Sequence, residues 1–162
     1  KQLGLAWTMY AQDYDEMTLR VNIGPTVSYT LLNGTPYTGY MLWPTIINPY
    51  TKNIQIQNCP SNSYRWDGAY TGASSYGYLS INWGIPLANY TKPSETFVMY
   101  DVRSAGGFTN QYAPGVGTAA QSYLDSGFGI LHNDGANVLL ADGHAKWFNL
   151  TTALGNRSYW SL

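Results

Sequence analysis

The segment NVLLADGHAKWF, residues 137–148, constrains the fold of this chain more than any other. Two alternating runs flank Asp142-Gly143. That pattern marks a two-residue hairpin, because a type I′ turn requires positive φ at both central positions. In the implied register Ala141 opposes His144, Leu140 opposes Ala145, Leu139 opposes Lys146 and Val138 opposes Trp147. Val138, Leu140, Ala145 and Trp147 then share a core face, and His144 and Lys146 lie on a wetter one. An antiparallel sheet near the C-terminus follows.

The opening residues carry a different period. Leu3, Trp7, Tyr10, Tyr14 and Met17 recur at steps of four and three, which draws one stripe along a helix. Leu5, Ala6, Met9 and Ala11 broaden it. No Ser, Thr, Asp or Asn precedes the pattern as a cap, so the helix is expected to continue from a segment upstream. Asp13, Asp15 and Glu16 sit where the helix dipole disfavours anions. The Gly24-Pro25 breaker lies beyond the end of the pattern.

Between helix and hairpin the signals are weaker. Residues 22–40 read as a long surface connection with a short extended candidate at Thr26–Leu32. Pro44 suits the first turn of a short helix and Pro49 its end. Ile54–Gln57 alternates and predicts a short strand. Ser75–Trp83 and, more strongly, Thr96–Val102 read as strands, residues 103–122 as a loop, and Phe128–His132 as a short apolar run. One N-terminal helix followed by an antiparallel sheet with long loops is an α+β order.

Composition narrows the function classes. The chain has 162 residues, enough for one domain with a real core. Its net charge is −1 and its 8 Lys and Arg are scattered, which argues against nucleic-acid binding. Only 10% of residues are charged while 15% are aromatic, a polar but weakly charged surface of the kind found on secreted and self-associating proteins. Cys59 is the single cysteine, so no intrachain disulfide forms. Next to Pro60, and without Cys-x-x-Cys or Cys/His spacing, it reads as a small buried apolar residue rather than a nucleophile or a zinc or haem ligand. No run approaches the ~18 apolar residues of a membrane span.

His132 is followed by nine residues and then Asp142-Gly143. With HNDGANVLLADGHAKW around it, this resembles the C-terminal signature of bacterial prepilin-type proteins, the type IV pilin-like and type II secretion pseudopilin-like family. KQLGLAWTMYAQDYD resembles the stretch that follows the membrane-inserting part of the pilin helix. PYTKNIQIQNCPS, SSYGYLSINWG and KPSETFVMYD resemble family segments in the expected order. The resemblance implies a pilin-like fold, with residues 1–20 the C-terminal half of the N-terminal helix and 21–162 a globular head. It implies a structural subunit of an extracellular filament, not an enzyme. The partners would be further copies of itself, the pilus or secretion assembly machinery and, through an upstream helix, the inner membrane before assembly. The implied location is the cell surface. Leu3, Trp7, Tyr10, Tyr14 and Met17 would serve helix packing and assembly.

Site residues have plain readings beside sharper ones. Asp142 suits turn chemistry, since Asp before Gly tolerates left-handed φ, and His132 suits a hydrogen-bonded packing role. No cofactor is required. The resemblance makes calcium a candidate, with Asp125, Asp134 and Asp142 as nearby carboxylates but without EF-hand spacing. Ser122 and Ser126 lack a nucleophile elbow. Asn33, Asn89, Asn149 and Asn156 head Asn-x-Ser/Thr sequences. Two alternatives from other classes stay open: a glycan-binding module using surface Tyr and Trp, and a metal-dependent enzyme using His132 and nearby carboxylates.

Overall fold

The computed structural model describes residues 1–32, 34–63, 74–102, 128–160 and 162. It is a mixed α and β architecture with an N-terminal helix and antiparallel sheets. Helix α1 spans Gln2–Asp13. Strands β1, Asn22–Thr30, and β2, Pro36–Leu42, pair as a separate two-stranded sheet. Helix α2, Trp43–Thr51, follows. The main sheet holds β3 (Tyr76–Tyr78), β4 (Phe97–Asp101), β5 (Gly135–Leu140) and β6 (Ala145–Asn149), side by side in chain order and antiparallel throughout. A short helix α3, Leu150–Gly155, and a 3₁₀ turn at Arg157–Trp160 close the chain. No helix among the described residues is long and apolar enough to cross a membrane.

The main sheet is buried on both faces. On one, Ala6, Trp7 and Tyr10 of α1 and Trp43, Ile46 and Ile47 of α2 pack with Tyr78, Val98, Met99, Leu139 and Ala141. On the other, Phe97, Tyr100, Val138, Leu140 and Phe148 pack with Phe128, Ala153 and Trp160. Every residue of β4 is therefore buried. An irregularity between Phe97 and Met99 inserts one extra residue against β5, and Val98 and Met99 consequently both join the α1 side. Trp160 is fully buried, and its indole donates to the Ala153 carbonyl at 2.6 Å.

Helix α1 ends sooner than its apolar pattern. Asp15 and Glu16 take left-handed φ of 52° and 58°, and the Glu16 amide donates back to the Ala11 carbonyl at 2.8 Å. No basic residue sits in the last turn to offset the acidic run. Tyr14 is thus the C-cap and Met17 pairs with Pro86 as an isolated bridge, so neither continues the helical stripe. Leu5 and Met9, predicted to broaden the buried stripe, are exposed.

Three other expectations change. Residues 22–40 are largely a hairpin, fastened by the Tyr29–Tyr37 ring contact and a 3.0 Å hydrogen bond between the Ser28 and Thr38 hydroxyls. Its strands are mostly exposed, so no apolar alternation announces them. Ile54–Gln57 is a 3₁₀ turn, not a strand, because the Asn53 side chain accepts the Gln55 amide at 2.9 Å and caps it. The proposed Ser75–Trp83 strand shortens to Tyr76–Tyr78 and then becomes a 3₁₀ turn at Ser80–Asn82.

The β5–β6 hairpin forms, but one residue out of the predicted register. Leu139 pairs with Ala145, Val138 with Lys146 and Asn137 with Trp147. The Gly143 amide donates to the Leu140 carbonyl at 2.9 Å and the Leu140 amide to the His144 carbonyl at 2.8 Å, which makes a three-residue loop. Only Gly143, at φ 87°, takes left-handed φ there; Asp142 does not. The one-residue slip turns every β6 side chain over. Ala145 and Trp147 leave the predicted core face, Trp147 being 43% exposed, and Phe148 enters it.

Candidate functional site

The type I′ turn expected at Asp142-Gly143 occurs instead beside His132. Asn133 and Asp134 both take left-handed φ, 58° and 61°, and His132 and Gly135 exchange backbone hydrogen bonds at 3.1 and 3.2 Å. Asn and Asp tolerate this region because their short polar side chains bond locally. The Trp147 indole donates to the His132 carbonyl at 2.7 Å. The His132 backbone is therefore held from both sides, which fixes where its ring is presented.

Two residues meet that ring: Cys59, which reads in the sequence as a small buried apolar residue and not a metal ligand, and Asp101, which the sequence reading does not single out. His132 Nε2 lies 3.3 Å from Cys59 Sγ and 3.4 Å from Asp101 Oδ2. All three donor atoms fall within 4.8 Å of one another. Cys59 and Asp101 are buried, and the His132 side chain is 30% exposed, so one side of the cluster meets solvent. Each residue comes from a different tethered segment. The Asn62 amide bonds the Cys59 carbonyl at 3.0 Å, and its side chain donates to the Val102 carbonyl at 2.7 Å, tying the Cys59 turn to the end of β4. Asp101 closes β4. The Gly129 amide donates to the Asp101 carbonyl at 2.7 Å, an approach so close that a Cβ at position 129 would stand 2.9 Å from that carbonyl group.

Asp101 is the electrostatic centre. Its Oδ2 accepts the Asn137 amide at 2.7 Å and the Asn137 side chain at 3.1 Å. Burial pushes its carboxyl above the ordinary value, and the Asn137 bonds and His132 offset only part of that. Its Oδ1 is buried with no hydrogen-bond partner among the described residues. An unmet buried carboxylate oxygen is costly and calls for an explanation. The contacts of Cys59 and Asp101 both reach the same ring nitrogen. A nucleophile relay needs the thiol on one nitrogen and the carboxylate on the other, so this arrangement lacks the geometry of a catalytic triad. A cleft of about 410 Å³ is lined by Leu3, Asn58, Tyr76 and Asn137 among others, but by none of the three cluster residues.

Of the predicted calcium candidates, the two described ones do not come together. Asp134 and Asp142 stand at opposite ends of β5, roughly 20 Å apart for a six-residue strand. Asp134 serves its turn. Asp142 accepts the His144 amide at 3.0 Å and lies 3.0 Å from the His144 ring. Burial raises the Asp142 carboxyl, but these bonds outweigh it and the net shift is downward. Asp125, Ser122, Ser126 and Asn33 lie outside the described residues. Asn149 and Asn156 act as caps, their side chains accepting the Thr152 and Ser158 amides at 2.7 and 3.1 Å.

Of the predicted assembly residues, Trp7 and Tyr10 are buried against the sheet, Leu3 is partly buried, and Tyr14 stacks on Tyr10 with ring centroids 4.2 Å apart. Comparison with protein-family models, curated proteins and solved structures yields no match to this chain.

Proposed function

We propose that this chain is a structural, non-enzymatic subunit of an extracellular pilus-like or pseudopilus filament, with a pilin-like fold. The carrying observation is that α1 is apolar on two sides. Ala6, Trp7, Tyr10 and Ala11 are buried against the chain's own core, while Leu5 and Met9, one turn apart, are 64% and 41% exposed. A helix that serves only its own domain keeps polar residues on its outer side. The ordered prepilin-like segments and the weakly charged, Tyr-rich composition support the same reading. In this filament the outer stripe packs against neighbouring helices and the heads tile the surface. Burying Leu5 fully is worth about 1.5–3 kcal/mol per copy. The precursor is anchored in the inner membrane and handled by assembly machinery.

Electron microscopy of cells carrying the full-length precursor and its assembly machinery tests this. Wild-type protein is expected to form fibres and the Leu5→Asp, Met9→Asp variant to form none, with unchanged circular dichroism of the head. Fibres that persist in the variant, or a wild-type protein that stays monomeric with the machinery intact, refute it.

A further inference from the structure

We propose that Cys59, Asp101 and His132 form a binding site for a zinc ion. This inference is independent of the filament reading. Zinc takes thiolate, imidazole and carboxylate ligands at about 2.0–2.3 Å, and donors at the corners of such a tetrahedron lie roughly 3.3–3.6 Å apart. The Sγ–Nε2 and Nε2–Oδ2 separations of 3.3 and 3.4 Å match that spacing. The 3.4 Å Nε2–Oδ2 separation is long for an N–H···O hydrogen bond, whereas the 3.3 Å contact is also an ordinary length for a hydrogen bond to sulfur. The chemistry of the set excludes calcium and magnesium, which select oxygen donors, and favours a borderline transition ion.

A second observation falls on the same carboxylate. Asp101 Oδ1 is buried without a partner among the described residues, on the very carboxylate that contacts His132. Asn137 holds that carboxylate by two hydrogen bonds to Oδ2, the outer support that metal-binding carboxylates use. Zinc binding displaces the Cys59 thiol proton to solvent and takes His132 as neutral imidazole. Solvent reaches the cluster on the His132 side and supplies the fourth ligand. The ion ties the Cys59 turn, the end of β4 and the turn before β5, three segments that are distant in sequence.

The test uses tag-free full-length protein, since a polyhistidine tag would itself bind metal. Zinc alone is titrated against a competing chelator, and cobalt is used as a spectroscopic stand-in. Binding of one zinc per chain is expected, with a thiolate-to-cobalt charge-transfer band and intense tetrahedral ligand-field bands. Cys59→Ser should abolish the charge-transfer band. His132→Gln, at the partly exposed position, should weaken zinc binding by about a hundredfold while circular dichroism stays the same. A folded wild-type chain that shows no charge-transfer band with cobalt overturns the proposal. So does zinc affinity that is equal in wild type and both variants.

Discussion

Asn82 is fully buried and joins four segments, so its removal should be felt well beyond its own turn. Its side-chain amide donates to the Phe97 carbonyl at 3.0 Å and the Leu79 carbonyl at 3.3 Å, and its Oδ1 accepts the Tyr90 hydroxyl at 2.6 Å. Its backbone carbonyl accepts the Thr18 hydroxyl at 2.5 Å and the Tyr78 hydroxyl at 2.8 Å. Asn82→Ala leaves the Tyr90 hydroxyl without that acceptor, at about 1–3 kcal/mol, and deletes the Phe97 bond, at about 1 kcal/mol. The expected loss is about 3 kcal/mol. For a chain of this size that lowers Tm by about 6–12 °C. Tyr90→Phe alone should cost about 1–2 kcal/mol. In the Asn82→Ala background it should cost almost nothing, because the stranded hydroxyl is gone. Urea unfolding of wild type, both single variants and the double variant gives the coupling energy, expected near 1.5 kcal/mol. Additivity to within about 0.5 kcal/mol would refute the network, since independent sites add to that accuracy.

Three further outcomes follow from the packing and electrostatics. Gly129→Ala places a Cβ 2.9 Å from the Asp101 carbonyl carbon and oxygen, and should destabilise by about 1–3 kcal/mol in urea unfolding. Burial raises the phenol pKa values of Tyr78 and Tyr90, so the unfolded chain ionises first; stability should hold up to about pH 10 and fall above it, with tyrosinate absorbance rising together with unfolding. The Asp142 carboxyl is lowered on balance, so its contribution is present above about pH 4 and lost as pH falls through the depressed folded value. Asp142→Asn should therefore cost a few tenths of a kcal/mol at neutral pH, with the difference from wild type closing in acid, as followed by unfolding at stepped pH.

The elements legible in the sequence are those whose signal is local. The Leu3–Tyr10 stripe gives α1, the apolar run of Thr96–Val102 gives β4, and the alternating runs about Asp142-Gly143 give the β5–β6 hairpin. The register of that hairpin was not legible. Whether Asp-Gly closes a two- or three-residue loop depends on which β6 residues find a core, and Phe148 finds one in the second cluster, against Phe97 and Tyr159. The β1–β2 hairpin was hidden because its strands are exposed and carry turn-forming residues.

The cluster shows the same division. The resemblance to prepilin-type proteins singled out His132, with nine residues between it and Asp142-Gly143, and the 162-residue sequence offers Cys59 no cysteine partner. It offered one further clue, a carboxylate within the apolar strand Phe97–Asp101, where burial demands partners. It held no sign of which partners. Cys59, Asp101 and His132 are separated by tens of residues, and no periodicity links them. Only the tertiary structure brings them together, through the Asn62 bond to Val102, the Gly129 contact with Asp101 and the turn at Asn133-Asp134. Local patterns fix elements because neighbours in sequence share one backbone geometry. Sites fall outside that reach because they are set by how whole segments pack.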